Sequence, residues 1–367
     1  MSLPQQLPVS PLRLATEISV TSRISGVGLS VPERVVPNTY FESYLDTSDE
    51  WIRERTGIRE RRWVPAGTGV SELAEPAARQ AIESAGLAVS DIDGIIFATV
   101  TGDYVLPSSA CCLQRRLGAP TGFAFDVGAA CSGFIYALTI ANAMIVSGTA
   151  RHVLVVGADI YSSTILDHTE RSSAVLFGDG AGAVVVSAMD SASATNGARK
   201  SLPGATAVSG DIRTLRGLYG SLIHADGKLS SILKVEAGSA APLTAETFSD
   251  HKYTLKMAGK EVFRHAVRGL VDVSEQILQK VGVTVEDVDF VVCHQANQRI
   301  LDAVSKQLNI PSHKMLSNVA SYGNTSAATI PILLAESVQQ GVIKPGHLVM
   351  LSAFGAGVTW GAILFRF

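Results

Sequence analysis

The chain carries one pattern twice, and that duplication restricts what it can fold into more than any other feature. Residues 123–159 read FAFDVGAACSGFIYALTIANAMIVSGTARHVLVVGAD, and residues 315–355 read MLSNVASYGNTSAATIPILLAESVQQGVIKPGHLVMLSAFG. Each copy has a short apolar lead, a turn of small residues, an apolar helix, a Gly and a buried strand. Cys131 stands 17 residues before Gly148, and Asn324 stands 17 residues before Gly341. The preceding segments repeat as well. DIDGIIFATV (91–100) matches DVDFVVCHQAN (287–297), and each leads into a helix ending in Leu-Gly-Ala-Pro (117–120) or Leu-Asn-Ile-Pro (308–311). Two long copies point to a duplicated α/β unit rather than a solenoid of short repeats. The expected result is two halves about a pseudo-two-fold axis, with both helix starts facing one site. On this alignment Cys131 and Asn324 are counterparts, a thiol in one half and an amide in the other.

Runs such as GIIFATV, HVLVVGAD, GAGAVVVSA, DFVVCH and HLVMLSAFG predict strands covered on both faces. Between them SELAEPAARQAIESAG (71–86) and EVFRHAVRGLVDVSEQILQKVG (261–282) predict helices, and the alternation predicts layered α/β sheets. Residues 187–250 are rich in Ser, Ala, Gly and Thr with weak periodicity, which predicts the junction of the halves with room for a flap. The expected organisation is a loose extension over 1–21, an N-terminal half over 22–205 and a C-terminal half over 206–367.

Composition narrows the function classes. Hydrophobic residues make up 47% and charged residues 17%, against a usual charged share of about 25%. That balance suits a large core with a further buried surface, and a homodimer is the simplest assembly. A net charge of −3 gives no nucleic-acid footprint. No apolar run reaches the ~20 residues of a membrane span, and the N-terminus has no continuous apolar stretch of a signal peptide. Four Cys without a ladder of spacings fit a reducing, cytoplasmic setting. No set of His, Cys or carboxylates has zinc-site spacing, so no metal is expected.

Seven segments resemble one family: DTSDEWIRERTGIRERR (46–62), FDVGAACSGFIYAL (125–138), FGDGAGA (177–183), HADG (224–227), HQANQRI (294–300), GNTSAATIP (323–331) and IKPGHLVMLSAFGAG (343–357). In this order they are similar to the β-ketoacyl-acyl-carrier-protein synthase III family, the thiolase-fold condensing enzymes that start type II fatty-acid synthesis. The resemblance runs from about residue 24 to the C-terminus. It implies a thiolase-like duplicated α/β fold, layered α-β-α-β-α. It also implies decarboxylative Claisen condensation of an acyl-CoA primer with malonyl-acyl carrier protein through an acyl-Cys131 intermediate, with no cofactor. Two departures stand out. The stretch between FGDGAGA and HQAN is longer than in compact members, and the family's FGGG turn is FGAG here, with Ala356 at its third position.

The residue chemistry agrees with that reaction. Cys131 lies among small residues at an apolar helix start, where free N–H groups and the positive dipole end favour a thiolate. A buried structural Cys is the alternative, and it is the expected state of Cys111, Cys112 and Cys293. His294 ends a buried strand and opens a polar run. Asn324 sits in Gly-Asn-Thr, where capping or turn formation competes with chemistry. A carboxamide is no base, but it donates to an oxyanion. Donors for an enolate oxygen without a strong base favour loss of CO2 over deprotonation. A thiolase would add a second catalytic Cys near the C-terminal turn, and Ala353–Gly357 has none.

Further roles follow from the resemblance alone. The N–H groups of Cys131 and Ala356 would form the oxyanion hole. Trp51, Arg55, Thr56 and Arg171 would take the adenine end of coenzyme A, and Asn297 its pantetheine. Arg264, Arg299 and Lys306 would form a basic patch for acidic carrier protein. Leu106, before Pro107, would reach into the partner's acyl pocket, where several members carry Phe; the smaller Leu leaves room for a primer longer than acetyl. Phe354 would crowd the malonyl carboxylate, with core packing as its alternative role. Three other classes compete. A ketosynthase or acyltransferase of a natural-product pathway shares the Cys. A papain-like hydrolase shares Cys-His-Asn but lacks the duplication. A non-catalytic partner subunit would lose the nucleophile.

Overall fold

In a computed structural model, which describes residues 17–189 and 208–367, the two sequence copies build two sheets of matching plan. The first half runs β1 (Ser22–Ser30), α1 (Asp49–Thr56), α2 (Val70–Ser84), β2 (Gly94–Ala98), α3 (Ser109–Leu117), β3 (Phe123–Val127), α4 (Gly133–Val146), β4 (His152–Asp159) and β5 (Gly180–Ala188). The second runs β6 (Gly217–Ala225), α5 (Gly259–Val281), β7 (Phe290–Cys293), α6 (Gln298–Gln307), α7 (Thr329–Gln339), β8 (Leu348–Gly355) and β9 (Thr359–Arg366). The first sheet has the order β1-β5-β4-β2-β3 and the second β6-β9-β8-β7. Met315 bridges parallel to Val291 of β7, in the place that β3 takes beside β2.

Helices α4 and α7 lie between the sheets. Helix α4 touches β2, β4 and β5 of one sheet and β6, β8 and β9 of the other, while α7 spans β1, β5 and β7. Over most of its length such a helix has no solvent side, so its sequence GFIYALTIANAMIV is mostly apolar. Only its C-terminal end reaches the surface, where Val146 is exposed. Helices α2 and α3 cover the outer face of the first sheet, and α5, with α6 packed on it, covers the second. The layers are therefore α-β-α-β-α, and the middle one holds a core of Phe134, Ile135, Leu138, Ile330, Leu333 and Leu334. Strands β5 and β8 are buried along their whole length, as their unbroken apolar runs predict.

Some elements depart from the sequence reading. Glu17–Val20, within the stretch expected to be loose, pairs antiparallel with Val208–Asp211. The remainder of 1–21 up to residue 16, and the boundary at 205, lie outside the described residues. Strand β6 falls inside the weakly periodic junction; it pairs with β9, and a register shift between Leu218 and Gly220 blurs its alternation. The expected flap is a ribbon, Leu233–Val235 paired with Leu255–Met257.

The proposed equivalence of Cys131 and Asn324 is corrected by the fold. The turn before α4 is Ala130–Ser132 and the turn before α7 is Ser326–Ala328. From Ala130 to His152 and from Ser326 to Leu348 the interval is the same 22 residues. Ala130 and Ser326 also share a left-handed backbone, with φ of 45° and 54°. Cys131 therefore corresponds to Ala327, and Ala130 to Ser326. The sequence alignment had matched the glycines that follow the helices, but α7 has 11 residues against 14 in α4, so those glycines are not equivalent.

At Gly157 the two halves meet without a side chain between them. A Cβ on Gly157 of β4 would stand 2.3 Å from the carbonyl oxygen of Ala327. Gly157→Val therefore forces two main chains apart, and it is expected to cost about 1–3 kcal/mol. A thermal melt checks this: a lowered midpoint is predicted, and an unchanged midpoint would refute the close contact.

Candidate active site

Cys131 sits in the middle of the turn that opens α4, after Ala130 in its left-handed conformation. His294 continues β7 by donating its N–H to the Ser352 carbonyl at 2.8 Å. Asn324 belongs to the second half but is pinned by the first. Its N–H donates to the Leu176 carbonyl at 2.9 Å, and its own carbonyl accepts the Gly178 N–H at 3.1 Å. All three side chains are buried, and all three line one cavity of about 410 Å³. Phe354, near the end of β8, and Ala356, just after it, complete that end.

Local contacts orient each group. The Asn324 Oδ1 accepts the Ser326 N–H at 2.9 Å, which leaves its Nδ2 as the free donor. The His294 Nδ1 lies 2.7 Å from the Thr329 hydroxyl. The Ser326 hydroxyl donates to the Cys131 sulfur at 3.5 Å, and the Tyr161 hydroxyl donates to Ser326 at 3.3 Å. Gly355 brings the end of β8 against the nucleophile turn: a Cβ there would stand 2.8 Å from the Cys131 nitrogen and 2.9 Å from that of Ser132.

The electrostatics correct one expectation. Burial pushes the Cys131 thiol up to about 12, opposed in part by the Ser326 hydrogen bond. The helix start thus does not hold a thiolate in the free protein. Burial also drives the His294 imidazole down to about 3, so it is neutral. Asp159, fully buried nearby, is raised by burial and is held by Val100, Thr99, Thr101 and the Ala327 N–H.

The other predicted residues divide. Arg55, Asn297 and Arg299 line the same cavity. Asn297 also caps α6, accepting the Ile300 N–H at 3.0 Å. Trp51, Arg55 and Arg171 form one cluster, with Arg171 lying 4.4 Å over the indole and Arg55 5.8 Å from it. Thr56 is not part of that surface. It is buried, with its hydroxyl donating to the Ile52 carbonyl at 2.6 Å and accepting the Ile58 N–H at 3.0 Å. The free hydroxyl in this region is that of Thr47, which has no partner among the described residues and adjoins Asp46, whose carbonyl accepts from Arg171. Arg264 lies on α5, and Lys306 lies in the last turn of α6, which packs beside it. Phe354 lines the cavity and also packs in the outer core, the alternative weighed for it. Leu106 is 80% exposed and lies outside this chain's own cavity lining.

Sequence reasoning passed over Ser326, Tyr161 and Thr329. Ser326 and Thr329 lie within the quoted GNTSAATIP run, but only the left-handed turn aims them into the site. It also passed over the ribbon residues Leu233, Leu255 and Met257, which wall the cavity.

Comparison with known proteins fits this geometry. Residues 125–199 match the family described as 3-oxoacyl-[acyl-carrier-protein (ACP)] synthase III, and residues 278–367 match its C-terminal part. The chain is 45% identical over 347 residues to the β-ketoacyl-[acyl-carrier-protein] synthase III of Brucella melitensis, covering 95% of this chain and 99% of that protein. The crystal structure of 3-oxoacyl-[acyl-carrier-protein] synthase III from Aquifex aeolicus is similar with a TM-score of 0.82 and 40% identity, covering 94% of this chain and all, 100%, of that one. The priming β-ketosynthase of the R1128 polyketide pathway is similar with a TM-score of 0.83 and 31% identity, over 97% of this chain and 98% of that one. The chain belongs to the β-ketoacyl-acyl-carrier-protein synthase III family.

Proposed function

We propose that the protein condenses an acyl-CoA primer with malonyl-acyl carrier protein, with loss of CO2, to give the β-ketoacyl-carrier product that begins type II fatty-acid synthesis. The observation that carries this reading is the convergence of Cys131, His294, Asn324 and Ala356 on one cavity. In the first half-reaction the Cys131 sulfur attacks the thioester carbonyl and coenzyme A leaves. The thiol proton ends on the departing coenzyme A sulfur, so the step balances without a cofactor. The N–H groups of Cys131 and Ala356 hold the tetrahedral oxyanion, in the space that Gly355 keeps clear of a side chain.

In the second half-reaction the bond from the malonyl α-carbon to its carboxylate breaks. The electron pair moves onto the thioester as an enolate while CO2 departs. The enolate carbon then attacks the acyl-Cys131 carbonyl, the carbon–sulfur bond to Cys131 breaks, and the freed sulfur takes up a proton from solvent. Two neutral donors hold the enolate oxygen. One is the Asn324 Nδ2, since its Oδ1 is occupied. The other is the His294 Nε2. The Thr329 hydroxyl lies 2.7 Å from Nδ1 and 3.0 Å from the Ser326 carbonyl; with its proton directed toward Nδ1, the ring's own proton is left on Nε2. Phe354 crowds the malonyl carboxylate toward release. Both thioesters use one cavity, so the order is ping-pong.

The basic residues Arg264, Arg299 and Lys306 take the acidic carrier protein, and Trp51, Arg55 and Arg171 the nucleotide end of coenzyme A. Two copies form a homodimer through β3, an edge strand whose Phe123, Phe125 and Val127 are only half buried. The adjoining loop exposes Tyr104, Val105 and Leu106, and in the dimer Leu106 would enter the partner's acyl pocket. The reading puts the protein in the cytoplasm; among the described residues no helix is long and apolar enough to cross a membrane. The similarity to a polyketide priming ketosynthase supports a second reading, with the same acylation but another pathway's carrier protein. Turnover with fatty-acid carrier protein decides between them.

Three outcomes follow. Asn324→Ala keeps Cys131 acylation but slows malonyl decarboxylation by about 100-fold or more, because one oxyanion donor is lost; equal loss in both steps would refute its assignment. Decarboxylation shows no ionisation between about pH 5 and about pH 8, since His294 is neutral well above its lowered pKa of about 3; an inflection near 6.5, the ordinary imidazole value, would contradict this. Leu106→Asp converts a dimer to a monomer in sedimentation velocity, and an unchanged dimer would exclude the β3 edge.

A further inference from the structure

The charge step of acylation lacks a side-chain partner in the reaction as described. A sulfur must become anionic in a buried turn, where burial, and after it the nearby Asp159, oppose the charge. His294 is committed as a donor to the enolate, and no lysine or arginine adjoins Cys131 among the hydrogen bonds and ion pairs of the described residues. The side chain that does face the sulfur is Ser326, at 3.5 Å.

Its placement is specific in three respects. First, Ser326 adopts φ of 54°, a left-handed backbone that non-glycine residues occupy only under strain. Its counterpart in the other half, Ala130, shares the conformation but carries no hydroxyl. Second, the direction of its hydrogen bond is set. The Tyr161 hydroxyl donates to the Ser326 oxygen at 3.3 Å, which directs the serine proton outward to the sulfur. Tyr161 is itself fixed, stacked on Phe177 at 4.4 Å with its N–H on Asp179 at 2.8 Å. Third, the same hydroxyl lies within hydrogen-bonding reach of the buried Asp159 carboxyl group, which also accepts from Thr99, Thr101, Val100 and Ala327, so Ser326 stands between the sulfur and that acid.

We propose that Ser326 is a further catalytic residue, whose hydroxyl, aligned by Tyr161, donates to the Cys131 sulfur as negative charge gathers there during acyl transfer. A hydrogen bond to an ionised acceptor is stronger than one to its neutral form, so the bond gains strength where the reaction needs it. No proton is transferred to or from Ser326: its O–H bond stays intact, and the thiol proton still leaves with coenzyme A. The proposal rests on the acyl-Cys131 reading, and the test separates the two.

The test is the pre-steady-state acylation of the full-length protein by acyl-CoA, with iodoacetamide alkylation of Cys131 as a substrate-free measure. Ser326→Ala is expected to lower both rate constants about ten-fold. The acyl-CoA concentration for half-maximal acylation should stay within about two-fold, since the serine acts on the sulfur and not on binding. Tyr161→Phe should give a smaller fall in the same two rates. Unchanged rates in Ser326→Ala, or a loss confined to acyl-CoA saturation, would overturn the proposal. If Ser326→Ala does not fold, by circular dichroism, Tyr161→Phe decides alone: unchanged rates refute the alignment. Failure of the wild-type protein to acylate Cys131 would instead overturn the underlying reading.

Discussion

The site depends on main chain meeting main chain across the two halves. Gly157 lets β4 approach the Ala327 carbonyl, and Gly355 lets β8 approach the Cys131 and Ser132 nitrogens, at distances no Cβ tolerates. Interiors packed this closely respond to small volume changes, so the relative position of the two helix-start turns is set by backbone rather than by adjustable side chains. Asn324 shows the same dependence, since a residue of the second half is held by carbonyl and amide groups at Leu176 and Gly178 of the first. Neither half alone would form the cavity.

The duplication has diverged at the residues that decide chemistry. Strands β4 and β8 end at equivalent positions, with Asp159 in one half and Gly355 in the other. Asp159 caps the Ala327 N–H at 3.2 Å, closing the turn of the second half. At Cys131 the equivalent position is glycine, so no side chain caps that N–H and it faces the cavity. One turn has become a structural joint and the other a reactive one. Burial then favours the neutral forms of the two reactive groups, with the thiol raised and the imidazole lowered. A neutral, desolvated site holds its donors in place for charge that appears only during reaction, which is where preorganised dipoles contribute most.

Much of this was legible in the sequence, because it lies in long-range repetition and in unbroken apolar runs. Strands β4, β5 and β8 and helices α2 and α5 follow from pattern, and the layered architecture follows from the duplication. Cys131, His294 and Asn324 were found because each follows a buried strand or opens a helix within a repeated frame. What was not legible depends on backbone conformation and on partners distant in sequence. The slipped pairing of Cys131 with Asn324 came from aligning terminal glycines on helices of unequal length. Thr56 looks like a surface residue in DEWIRERTG, yet the end of α1 turns its hydroxyl onto its own backbone. Ser326 carries no local signal at all; its reach to the sulfur comes from a left-handed turn and from Tyr161, 165 residues away. The direction of the Cys131 shift was missed because a helix dipole is visible in sequence and desolvation is not.

Intact-mass spectrometry of the protein mixed with acyl-CoA thioesters, followed by peptide mapping, tests the central claim most directly. A duplicated scaffold that presents one sulfur predicts a single acyl adduct on the peptide containing Cys131, discharged when malonyl-acyl carrier protein is added. No adduct, or an adduct on Cys111, Cys112 or Cys293, would contradict the assignment of the nucleophile and with it the reaction built on that sulfur.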